Sequence, residues 1–269
     1  MCRPYQQFLA ALTAWLLLAN SAIAQNLESA EQALERGDYA AAFVEWQPLA
    51  DQGDAIAQYN LGILYSQGQG VAQDYAEAVM WLRRAAEQGH PGAQYNLGGH
   101  YRQGKGVVQD HSEASKWFLK AAEQGLSFAQ NNLGVQYRRG QGVVRDHSEA
   151  ARWFRKAAEQ GHAIAQNNLG ELYAQGQRVE HHTEAAKWFR KAAEQGDAYA
   201  QRNLGHLYFE GRGVVQDYIQ AYKWLNLAVA HGHTEASDNW AIVAGAMSPA
   251  QIAEAQKLVV EWAEQHENR

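Results

Sequence analysis

Apolar and small residues return along this chain in one frame thirty-six residues wide. Ala57, Leu61 and Tyr65 are spaced by four, with Gln58 and Gly62 alongside. At 100° per residue they share one broad helical face, which predicts a first helix at about 55–67. The set returns at 94–98, 130–134, 166–170 and, one residue short, 201–205, with tyrosines at Tyr101, Tyr137, Tyr173 and Tyr208. A second set, Ala78, Trp81, Leu82 and Ala85, predicts a second, antiparallel helix. Its tryptophan returns as Trp117, Trp153, Trp188 and Trp224. A fixed period of this size means an array in which each unit buries its apolar face only against its neighbours.

Polar positions punctuate the unit. The stretch Gly68-x-Gly70-Val71 turns the chain, and Asp74 predicts an N-cap that Glu77 completes as a capping box. The pair returns as Asp110/Glu113, Asp146/Glu149 and Asp217/Gln220. Gly89, Gly125, Gly161, Gly196 and Gly232 are expected as left-handed glycines closing each second helix. A glycine inside a helix costs up to about 1 kcal/mol relative to alanine. Gly62 nevertheless returns as Gly98, Gly134, Gly170 and Gly205, which predicts close approach of the partner helix. The fourth copy departs at 177–182, where the second loop glycine, the cap aspartate and one residue are missing. A local change of twist is expected there.

These residues, read as A-x-A-Q-x-N-L-G-x-x-Y-x-x-G-x-G-V-x-x-D-x-x-E-A-x-x-W-x-x-x-A-A-E-Q-G, resemble the Sel1-like repeat, a relative of the tetratricopeptide repeat. The resemblance implies an all-α fold, a right-handed α/α superhelical solenoid of helical hairpins, and a role in holding other proteins together. It covers five copies at 54–232, preceded by a capping half repeat at 25–53 and followed by capping helices at 233–269. In that last segment Ser248-Pro249-Ala250-Gln251 reads as another capping box. Ile252, Ala255, Leu258, Val259 and Trp262 form one stripe of the final helix.

Composition changes this picture at the N-terminus. Residues 1–24 hold one charge, Arg3, an apolar run from Phe8 to Ala19, and the small-x-small site Ala22-Ile23-Ala24. They read as a secretory signal cleaved after Ala24, too short to span a bilayer comfortably. The expected compartment is the bacterial periplasm or the exterior, without stable membrane insertion after cleavage. Loss of Arg3 takes the formal charge from −6 to −7, which argues against nucleic acid as a partner. The only cysteine, Cys2, lies in that signal, so the exported chain has no thiol for disulfides or metals.

Candidate chemistry is sparse. His181 and His182 point about 100° apart on a helix, and no H-E-x-x-H, G-x-S-x-G, S-x-x-K or P-loop is present. No metal, cofactor or catalytic residue is expected, and the tryptophans read as core packing. Positions that vary between copies are more informative. They run as Tyr59, Tyr95, Asn131, Asn167, Arg202; as Ile63, Gly99, Val135, Glu171, His206; and as Ser66, Arg102, Arg138, Ala174, Phe209. Their spacing of four and seven places them on one side of the first helices. By the resemblance, that side is concave. The expected partner-binding residues are Tyr59, Tyr95, Arg102, Asn131, Arg138, Arg139, Asn167, Arg202 and His206. The recurring Asn60, Asn96, Asn132, Asn168 and Asn203 border the two faces and suit an internal role.

The leading expectation is thus an exported, non-enzymatic scaffold that binds a protein or peptide, with an acidic segment of the partner meeting the arginines. Two alternatives stand beside it. One is a hydrolase acting on the cell wall or a β-lactam, by analogy with cysteine-rich Sel1-like proteins, whose repeat cysteines this chain lacks. The other is a glycan-binding module using exposed aromatic residues.

Overall fold

The computed structural model describes residues 28–176 and 179–266, with the backbone alone at 179 and 180. The signal read at 1–24 lies outside the described residues, as does the departure of the fourth copy at 177 and 178. The fold is all-α, in the α/α solenoid class, and every regular element among the described residues is a helix. Helix α1 covers residues 28–35. It is followed by α2 (Tyr39–Asp51), α3 (Ala55–Gln67), α4 (Tyr75–Glu87), α5 (Pro91–Gln103), α6 (His111–Glu123), α7 (Ser127–Arg139) and α8 (His147–Glu159). The chain continues through α9 (Ala163–Ala174), α10 (Val179–Ala193), α11 (Ala198–Glu210), α12 (Tyr218–Ala230), α13 (Ala236–Gly245) and α14 (Pro249–His266). Two compact units divide it: residues up to 126 with 141–143, and residues 127–140 with 144 onward.

Each hairpin forms for the reasons its sequence predicts. The helical glycines are spacers between the two helices of one hairpin. A Cβ on Gly62 would lie 2.7 Å from Leu82 Cγ, and one on Gly134 would lie 2.6 Å from Phe154 Cδ1. The contact is therefore inside the hairpin rather than between repeats. Leu82, Phe118, Phe154, Phe189 and Leu225, which fill these spaces, are buried. Trp81, Trp117, Trp153 and Trp224 are also buried, and Arg84, Lys120, Lys156 and Lys191 lie over the rings of Trp81, Trp117, Trp153 and Trp188.

The expected capping boxes form only in part. Asp74 Oδ1 accepts from Ala76 N at 2.8 Å and Glu77 N at 3.1 Å. The reciprocal donor, Asp74 N–H, goes instead to the carbonyl of Tyr65 at 3.0 Å. Asp110, Asp146 and Asp217 likewise donate to Tyr101, Tyr137 and Tyr208. The loop is closed by backbone, so Glu113 and Glu149 turn outward to Lys116 and Arg152. Ser248 and Gln251 do form the full box, with Gln251 Oε1 accepting from Ser248 N at 2.9 Å and Ser248 Oγ accepting from Gln251 N at 3.3 Å.

Within each unit, successive hairpins are clamped by glutamines. Gln94 donates to the carbonyl of Ala86 at 3.1 Å and accepts at 2.8 Å from Gln124, which also donates to the carbonyl of Gly89. Gln58 and Gln88 repeat this arrangement in the first unit; in the second, Gln166 donates to the carbonyl of Ala158 and accepts from Gln195, whose other bond goes to Lys191 of its own helix. Buried amides must find partners, and here they find one another.

Candidate functional site

The first-helix residues singled out by variation occupy half-buried or buried positions, apart from Arg139, which is exposed in the last turn of α7. In the first unit Tyr59 stacks on His90, with ring centroids 4.4 Å apart and an interplanar angle of 22°. Tyr95 and Arg102 share one neighbour. The Tyr95 ring is tilted against Phe118 at 5.8 Å, and the Arg102 guanidinium lies 5.9 Å from the same ring centre.

The second unit holds a polar network. Arg138 Nη1 donates to Glu171 Oε2 at 2.8 Å, and Asn167 Nδ2 donates to Glu171 Oε1 at 3.0 Å. Asn203 Nδ2 donates to Asn167 Oδ1 at 3.1 Å, and Arg202 Nη1 donates to Asn203 Oδ1 at 3.3 Å. The structure thus joins Arg138, Asn167 and Arg202 through Glu171 and Asn203. Asn131 is buried and accepts from Asn168 at 2.9 Å. In α9 and α11 the recurrent border asparagines therefore tie one first helix to the preceding one, the internal role expected of them.

A cavity of about 390 Å³ opens beside this network, lined among others by Glu171, Arg202, His206, Glu210 and Arg212. His206 has its pKa lowered, first by burial and then by the Arg202 charge, against the opposing pull of Glu210. Arg212 lies between Glu210 at 3.2 Å and the Nε2 of buried His182 at 3.1 Å. His182 is held toward its neutral form, first by burial and then by the Arg212 charge. The acidic members were not singled out from the sequence as site residues. Glu171 and Asn167 are one helical turn apart, which is the signal that could have paired them. Among the described residues no group of three metal-ligating side chains converges, and no helix is long and apolar enough to cross a membrane.

Stacked helical hairpins with a varied polar first-helix side define a repeat scaffold. The Sel1 repeat profile matches residues 55–90, 91–126, 127–162, 163–197 and 198–233, and the chain belongs to the Sel1 repeat family. Its fold is typical of protein–protein interaction modules, and the family is generally a non-catalytic one. A Sel1 repeat protein from Oxalobacter formigenes is similar at 32% identity over 80% of this chain and 86% of its own, with a TM-score of 0.74. The protective antigen c5321 of uropathogenic Escherichia coli is similar at 25% identity over 84% and 80%, with a TM-score of 0.39. A Sel1 repeat protein from Klebsiella pneumoniae is similar at 22% identity over 75% and 99%, with a TM-score of 0.46. No curated protein sequence matches the chain.

Proposed function

We propose that this chain is an exported scaffold that binds a protein partner through the varied side of its first helices. The supporting observation is the network from Arg138 to Arg202. Five half-buried or buried polar side chains are organised there beside an open cavity, and four of them, Arg138, Asn167, Glu171 and Arg202, stand at positions where the repeat itself requires no fixed residue. Mixed guanidinium and aromatic groups are the composition of interface hot spots. Arg102 and Arg139 offer further cations to an acidic segment of the partner, while Arg138 already holds Glu171. Partner carboxylates must then compete with Glu171 for Arg138, since a forked Arg–carboxylate contact is directional and saturable.

The test starts from the exported protein, which should begin at Gln25 after the Ala22-Ile23-Ala24 site; full-length chain held in membranes would contradict export. Crosslinked capture identifies the partner, and its affinity is then measured for three proteins. Arg102→Ala with Arg138→Ala should weaken binding, by less at high salt, where screening has already reduced the wild-type interaction. Glu171→Gln should strengthen it by releasing Arg138. Wild-type affinity in both variants would remove this side of the helices as the binding face.

A further inference from the structure

The last helix breaks the pattern of the array. In the repeats each second helix packs on the first helix of its own hairpin. The link from α13 to α14 is only residues 246–248, without a Gly-x-Gly turn, and α14 lies along α12 instead of pairing with α13. Trp262 joins Trp224 and Leu227 of α12 and Ala192 and Ala193 of α10 in one buried cluster. Lys223, beside the charge of Glu261 on α14, is half-buried, whereas its equivalents Lys116, Arg152 and Lys187 are exposed. The helix is thus a strap across the second helices of the last repeats.

One side chain holds the end of this strap. His266 Nδ1 lies 2.7 Å from the carbonyl oxygen of Trp262, and its Nε2 lies 2.9 Å from that of Glu194, at the end of α10. Carbonyl oxygens only accept. A neutral imidazole has one N–H and serves one of them; an imidazolium has two and serves both. The surroundings also favour the charged ring. Both carbonyls stand at helix C-termini, where the helix dipole is negative. The ring stacks on the Trp262 indole, with centroids 3.8 Å apart and an interplanar angle of 12°, and an indole face attracts a cation. The Glu194 carboxylate lines the same cavity.

The opposing group is His231, at the end of α12. It is held toward its neutral form, first by burial and then by the His266 charge, and its Nδ1 donates to Gln201 Oε1 at 2.8 Å. The neighbouring cations are directed elsewhere: Lys191 and Lys223 lie over Trp188 and Trp224, and Arg190 donates to Tyr208. On α14 itself Glu261 pairs with Lys257, and Glu264, two positions before His266, points to the other side of the helix.

We infer that α14 is a proton-fastened strap: protonation of His266 clips the end of the last helix to the end of α10, and deprotonation loosens it. A charged form that the fold holds adds stability at low pH, and that contribution is lost as the pH rises. Loosening uncovers Trp262 and the Lys223 side of α12.

The experiment measures hydrogen–deuterium exchange of the full exported protein at about pH 5.5 and about pH 8, on either side of the ordinary imidazole titration. Protection is corrected for intrinsic exchange at each pH and read in peptides covering 255–266. It should be several-fold greater at the lower pH. His266→Phe keeps the ring on Trp262 without its donors, and its protection should be low and equal at the two pH values. His231→Gln, which installs the residue found at the other clamps, should keep the pH dependence. Equal protection of the wild type at both pH values, a pH dependence that survives in His266→Phe, or one that vanishes in His231→Gln would overturn the inference. The readout is local to α14 and independent of partner affinity, so it fails or stands apart from the test of the Arg138 network.

Discussion

Histidine at the start of a first helix is a conditional cap. His90 Nδ1 accepts from Ala93 N at 3.1 Å and His162 Nδ1 accepts from Ala165 N at 3.3 Å, where Asp54 and Asp197 stand in other repeats. An imidazole accepts only while neutral, and burial, the first cause, lowers the pKa of both. Because the folded pKa lies below the unfolded value of about 6.5, this contribution is complete above that pH and is lost as the pH falls through the folded pKa. The melting temperature should therefore drop between pH 7.5 and 5.5. His90→Asp with His162→Asp should drop less, since an aspartate cap stays ionised over that window. Equal drops in both proteins would show that these caps do not sense protons. A cap whose acceptor is a ring nitrogen leaves no signal in the spacings that mark metal-binding or catalytic histidines.

At the level of the element, local features were readable and stacked ones were not. The packing role of Gly62 and its equivalents followed from a helix-breaking residue kept at one register, because the cost of glycine there is a property of the single helix. The glutamine clamp was not readable. Gln94 and Gln124 are thirty positions apart, and only the stacking of hairpins brings them together. The boxes at Asp74, Asp110 and Asp146 form only their aspartate half for a similar reason: a tyrosine carbonyl nine residues earlier takes the N–H that the glutamate would have served. The clamp makes a direct prediction. Gln94→Leu strips Gln124 Nε2 of one acceptor and leaves the Ala86 carbonyl without its side-chain donor, and it should cost about 1–3 kcal/mol in denaturant unfolding. A neutral result would mean that solvent replaces both bonds and that hairpins are joined by apolar packing alone.

For the molecule as a whole, sequence variation marked which side of the hairpins is free to specialise, but not how its charges are spent. Arg138 and Arg202 read as free cations; the structure engages one with Glu171 and the other with Asn203. Glu171 lies one repeat beyond Arg138, out of reach of a pattern read along one helix, and Asn203, next to Arg202 in α11, is itself held by Asn167 of the preceding repeat. The second helices present a contrasting surface, where Lys116, Arg152 and Lys187 are exposed and paired within their own helix to Glu113, Glu149 and Glu184. Such exposed pairs contribute little and carry no organisation between repeats. The most direct test of the scaffold reading is therefore photo-crosslinking from single positions on each side. A crosslinking side chain placed at Arg102, Arg139 or Arg202 should form adducts with the partner, and one placed at Lys116, Arg152 or Lys187 should form none. Adducts from the second-helix positions, with none from the first, would contradict the account.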